Sequence, residues 1–110
     1  MDVKRGAVVA VALKGDYGKP RPALVVQSDL FDEHSSVTIA PVTSTIVDAP
    51  LFRVTVEPST SNGLRKISQV MVDKLTTVRR DKIAETIGTL SDEASIRVNR
   101  ALMLWLGLAA

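Results

Sequence analysis

The chain contains no cysteine, one histidine (His34), one tryptophan, one tyrosine and two phenylalanines among its 110 residues. Without cysteine there can be no disulfide, no thiolate nucleophile and no Cys-based zinc site, and a reducing, cytoplasmic setting is the default expectation. A single imidazole excludes catalysis by a histidine pair and any His-rich metal centre. The sequence also lacks an apolar run near the ~18 residues of a membrane span, and residues 7–13 are too short and too poorly followed to read as a signal peptide. Charge of one sign is scarce too. Lys and Arg number 14 against 12 Asp and Glu, a formal +2, which permits a polyanionic partner without forming the dense basic stripe of a strong duplex-DNA binder.

What is present suits one small core: 45% apolar and 24% charged residues in a length that predicts a single domain over 1–110. "RGAVVAVAL" (5–13) reads as a first strand, "ALVVQ" (23–27) as a second and "SVTIAPV" (36–42) as a third, with Pro41 suggesting a strand end or an edge. "LFRVTVE" (51–57) alternates, with Phe52, Val54 and Val56 on one face. Asn62-Gly63 signals a turn, "KISQVMVDKLTTV" (66–78) gives one or two short strands, and "ETIGTL" (85–90) another, with Gly88 at a bend or bulge. The period then changes. Ser91 is an N-cap followed by two acids, and Ala94, Val98, Ala101, Leu102 and Trp105 fall on one helical face before a stop at Gly107. Many short strands followed by a helix predict a mainly β protein, a small, strongly bent barrel with the helix packed against it.

The segment "GDYGKPRP" (15–22) reads as a loop, because two glycines permit positive φ and two prolines remove donors. It is not a phosphate-binding P-loop, since Lys19 is followed by proline rather than Ser or Thr. Two readings of Arg21 stand. One is a surface arginine in a braced turn. The other is a planar cation held at low entropic cost for a phosphate oxygen. Asp16, Tyr17 and Lys19 add an acid, a stacking ring and a second cation to the same segment. Thr43, Ser44 and Thr45 form a hydroxyl cluster at a strand end: ordinary turn residues, or groups that bond a phosphate or orient an arginine.

Taken in order, "RG", "RPALVV", "IAPVTS", "GL", "SQVMVDKLTTV", "IGTLSDEA" and a helix ending "LGL" resemble the MazF/PemK-type toxins of bacterial toxin–antitoxin pairs, over roughly residues 4–108. The resemblance implies a CcdB/MazF-type SH3-like barrel with a C-terminal helix, acting as a homodimer. It implies a metal-independent endoribonuclease that cuts single-stranded RNA at a short sequence through the RNA's own 2′-OH, and an antitoxin that neutralises it. Arg21 matches the arginine of the family's "RP" motif and Thr43 the threonine of its "P-[IV]-T" motif; Asp73 matches an acidic position that some members use as a base. Asp16, Tyr17, Lys19 and Ser44 are the expected RNA contacts. Three departures stand out: Gly6-Ala7 replaces Gly-Asp, the first loop is short so that Asp16 or Tyr17 fills the place of a glutamate, and Met71 occupies the place of an arginine. A general acid is not identified. The alternatives are a CcdB-like gyrase inhibitor, whose Trp-Gly-Ile ending is only loosely matched by "LWLGL", and a non-catalytic RNA-binding or dimerisation domain.

Overall fold

A computed structural model describes residues 3–13 and 19–110. Among the described residues seven strands precede one α-helix: β1 (Ala7–Ala12), β2 (Pro20–Val25), β3 (Ser36–Thr43), β4 (Arg53–Val56), β5 (Ser68–Met71), β6 (Thr76–Arg79), β7 (Ile83–Thr89) and α1 (Asp92–Trp105). The strands pair antiparallel in the order β4-β5-β3-β2-β1-β7. β3 is long enough to hold two partners on its far edge: Ser36–Ile39 pair with β6, and Val42–Thr43 with β5. Among the described residues the ladder does not close, and β4 and β7 form its ends. An open, bent antiparallel sheet capped by a C-terminal helix is compatible with the SH3-like barrel expected. No helix among the described residues is long and apolar enough to cross a membrane.

Val8 and Val9 are neighbours in β1 and both fully buried, because each face of the sheet has its own core. Val8, Leu24, Ala40, Val42, Val54, Val56 and Val70 pack under α1. Val9, Val11, Ala23, Val25, Val37 and Ile39 pack on the opposite face. This explains the unbroken Val/Ala run of β1, which a sheet covered on one face only would interrupt with polar residues. The helix buries Ala94, Val98, Ala101 and Leu102, with Val98 and Leu102 each contributing roughly 1.5–3 kcal/mol of apolar burial. Ser91 caps it by accepting the Ala94 N–H at 3.2 Å, and Gly107 leaves it at φ +75°. Trp105, expected on the buried face, is half exposed and tilts against Phe52 with ring centroids 5.7 Å apart.

The prolines require a correction. "GDYGKPRP" was expected to be loop throughout, yet β2 begins at Pro20 and carries Arg21 and Pro22 opposite Val11 and Ala10. The Gly6 N–H donates to the Val25 carbonyl at 2.9 Å, so odd-numbered residues of β2 turn their backbone groups to β1. Even-numbered residues turn theirs to β3, as the Val26 N–H donating to the Thr38 carbonyl confirms. The ladder with β3 ends at Ala23 opposite Pro41. Pro20 and Pro22 therefore sit where no donor is required. Pro41 obeys the same logic inside β3, because its missing donor falls between the end of the β6 ladder at Ile39 and the start of the β5 ladder at Val42. The segment 66–78 resolves into two strands, β5 and β6, separated by a 3-10 turn at Val72–Lys74.

Candidate functional site

A groove of about 960 Å³ lies at one end of the sheet. Its floor includes Ala10, Pro22 and Val42. The pairs Ala10–Pro22 and Ala23–Pro41 put these three in one row across β1, β2 and β3, on one face. Arg21, Thr43 and Ser44 line the same groove. Continuing the Ala23–Pro41 register by two residues sets Arg21 opposite Thr43, on adjacent strands ~4.8 Å apart. Arg21 is exposed and carried by a strand rather than a loop tip. The Thr43 Oγ1 accepts the Thr45 N–H at 3.1 Å, which fixes the rotamer and leaves the hydroxyl hydrogen for another acceptor.

The opposite wall is the loop between β4 and β5, which brings Arg65 and Lys66 to the groove. Neither was singled out in the sequence. Their position depends on a clamp. Asn62 is buried; its Oδ1 accepts the Ser59 and Leu64 N–H groups and its Nδ2 donates to the Glu57 carbonyl. Gly63 has φ +70°, and a Cβ there would meet the Ile87 carbonyl oxygen at 2.1 Å. The Thr89 N–H donates to the Ser61 carbonyl at 2.8 Å, tying the loop to β7. The Asn-Gly signal was legible; the docking of Gly63 against Ile87 of β7 was not, because that contact is long-range.

Gln69 was also missed by the sequence reading. It pairs with Thr43 across β3 and β5 and is buried. Its amide accepts the Val47 N–H and donates to the Val47 carbonyl and Thr55 Oγ1, fastening the segment that follows Thr43.

The other expected site residues are distributed unevenly. Ser44 is in the groove and exposed. Lys19 is exposed but does not line it. Asp16 and Tyr17 lie outside the described residues. Asp73 is not among the groove's lining residues either; it sits in the turn between β5 and β6. Its two oxygens accept from Arg53 Nε at 2.7 Å and Nη2 at 3.1 Å, and both side chains are only 13% exposed. The hydrogen bond from Arg53 is the main cause holding the Asp73 carboxyl below its ordinary range. The same bond raises Arg53. A carboxylate so engaged is a weak proton acceptor, and its geometry is that of a structural ion pair. The place left by Asp73 is not empty of carboxylate, however, since Glu85 of β7 lines the groove.

An apolar floor, a strand-borne arginine opposite a threonine, and two cations on the far wall make a small open-barrel protein with a cation-walled groove at one end of its sheet. The chain belongs to the family of PemK-like, MazF-like toxins of type II toxin–antitoxin systems, whose family model matches residues 4–106. It is 43% identical over 108 residues to the "Probable endoribonuclease MazF" of Mycolicibacterium smegmatis, covering 97% of this chain and 99% of that one. It is 29% identical over 113 aligned positions to the endoribonuclease EndoA of Bacillus subtilis, covering 98% and 97%. The fold superimposes, with a TM-score of 0.84 and 25% identity, on an endoribonuclease from a mycobacterial species solved in complex with its cognate antitoxin, covering 98% of both chains.

Proposed function

We propose that this protein is an endoribonuclease toxin that cuts single-stranded RNA in the groove between β2, β3 and the β4–β5 loop, and that a cognate antitoxin neutralises it. The observation that carries the reading is the placement of Arg21 opposite Thr43 at a cation-walled groove. The ribose 2′-OH next to the scissile phosphate attacks phosphorus, the bond from phosphorus to the 5′ oxygen breaks, and the products are a 2′,3′-cyclic phosphate, or the 3′-phosphate from its hydrolysis, and a 5′-OH. The 2′-OH proton leaves and the departing 5′ oxygen gains one. Arg21 stays charged at every accessible pH, so its part is to stabilise the charge gathering on the non-bridging oxygens from a preorganised position. Thr43, its oxygen already fixed by the Thr45 N–H, donates its hydrogen to one of those oxygens. Ser44, Arg65 and Lys66 hold the flanking backbone. RNA as substrate makes the cytoplasm the place of action, and the active form is a homodimer.

The test is incubation of the purified protein with mixed-sequence RNA in EDTA, followed by sequencing and chemical typing of the ends. Cyclic-phosphate or 3′-phosphate and 5′-OH ends at a recurring short sequence are expected. Arg21→Ala should lower single-turnover cleavage by a factor of ~100–1,000, and Arg21→Lys should rescue poorly because a point charge lacks the planar fork. Thr43→Ala should act in the same direction, with the double variant short of additive because both groups serve one phosphate. A folded Arg21→Ala variant cutting within a few-fold of wild type overturns the site.

A further inference from the structure

Glu85 is an unexpected occupant of a groove that holds a polyanion. It is exposed on β7 and lines the groove with Arg21, Arg65 and Lys66. Among the described residues its carboxylate has no hydrogen bond and no ion pair. A carboxylate beside a phosphate chain repels it, so Glu85 has to meet some other part of the nucleic acid. Its position is well defined. Ala10 pairs with Glu85 on one side and Pro22 on the other, so the three share one face in one row. Two inter-strand steps separate Glu85 from Pro22, ~10 Å across the sheet, and the low apolar surface of Ala10 lies between them.

We propose that Glu85 is a specificity-determining residue that reads a guanine beside the cleaved bond, its two oxygens accepting from the guanine N1–H and N2–H. This inference rests on the nuclease reading of the groove. An ionised carboxylate only accepts hydrogen bonds. On the Watson–Crick edges exposed in single-stranded RNA, guanine alone offers two adjacent donors. Adenine and cytosine each set an acceptor nitrogen beside their amino group, and uracil flanks its single N–H with carbonyls. The base lies over Ala10 and Pro22 with its edge toward Glu85, and its backbone runs along the end of the sheet, where Arg21 lines the same groove. A proton acceptor for the attacking 2′-OH would need to be ~3 Å from an atom next to the phosphate held by Arg21. Glu85 hangs from a strand two removed from that of Arg21, which suits the far edge of a base.

The experiment compares wild type, Glu85→Gln and Glu85→Ala on a mixed-sequence RNA, with product ends sequenced and folding checked by thermal melting. Wild type is expected to require guanine at one position near the cut. The preference for guanine over the other bases should fall tenfold or more in both variants, since each loses a charge-assisted acceptor. A synthetic RNA with inosine at that position lacks the N2 amine. Wild type should cut it with kcat/KM lowered about tenfold or more, whereas Glu85→Ala should no longer distinguish it from the guanine substrate. Cleavage by wild type without a guanine preference overturns the inference and leaves the nuclease reading standing. So does an undiminished preference in the variants. A folded Glu85→Ala protein that cuts nothing also overturns it, by making Glu85 part of the chemistry. A wild type that cuts no RNA overturns the nuclease reading itself, and this inference with it.

Discussion

Two carboxylates, Asp73 and Glu85, differ in what surrounds them. Asp73 is largely buried and gripped by Arg53 at two points, and Glu85 is exposed and unpaired among the described residues. Removing the Asp73 charge leaves a largely buried guanidinium without its partner. Asp73→Asn should therefore destabilise the protein by about 3 kcal/mol near neutral pH, read from denaturant midpoints. Because the folded carboxyl is held below its unfolded value, the pair contributes stability above ~pH 4, and that contribution is lost as pH falls through the folded pKa. The gap between wild type and variant should close at acid pH. Cleavage per folded molecule should drop far less than in Arg21→Ala; a hundredfold loss in a folded variant would return Asp73 to the chemistry. The sequence made Arg21 and Thr43 legible because each belongs to a short, ordered motif that contains a proline, Arg21-Pro22 and Pro41-Val42-Thr43. It could not separate Asp73 from them, since residue type and motif position say nothing about a partner 20 positions away.

Period-2 alternation and the Ser91 cap sufficed to locate β4 and α1, whose patterns are local. The start of β2 was hidden for the opposite reason: its prolines are tolerated only because of where the β3 ladder stops, which is a property of the sheet. The Gly88 bend was legible, and the β1–β7 register does shift between Val8 and Val9, leaving Ile87 unpaired. Its purpose was not. A Cβ at Gly88 would meet the Asn62 carbonyl carbon at 2.3 Å, its oxygen at 2.4 Å and the Ser61 oxygen at 2.5 Å, all backbone. The glycine is thus the seat on which the β4–β5 loop rests. Gly88→Ala should cost about 3 kcal/mol of stability through overpacking. It should also push Arg65 and Lys66 off the groove wall, raising KM for RNA more than it lowers kcat. A variant with wild-type melting and an unchanged KM would show that the loop is not held in this way.

The molecule as a whole carries more exposed apolar surface than its size requires. Met103, Trp105, Leu106 and Leu108 at the helix end, and Leu30 and Phe31 on the 3-10 turn, are 42–87% exposed. Phe31, Met103, Leu106 and Leu108 line one cleft of about 800 Å³. The turn that presents Phe31 is held firm: Asp29 accepts the Arg5 N–H at 2.7 Å, and Arg80 donates to the His34 and Phe31 carbonyls. A rigid apolar face on a chain of 110 residues is what a second copy would cover. Light scattering at concentrations on the order of tens of micromolar should give twice the chain mass, and a monomer there would refute the dimer. Charge behaves differently at this scale. The formal total is only +2, so no broad field draws RNA in, and attraction depends on the cations gathered at the groove, Arg21, Arg65 and Lys66. Each phosphate neutralised on a single strand contributes ~−0.7 to the slope of log K against log salt, so three cations give about −2. The measurement is the affinity of a short RNA carrying a 2′-deoxy residue at the attacking ribose, which cannot be cut, between about 50 and 200 mM salt. Arg65→Ala and Lys66→Ala should each flatten the slope by ~0.7. A slope steeper than about −5 would mean that the RNA runs over much more of the surface than the groove, since that value corresponds to roughly seven contacts per strand.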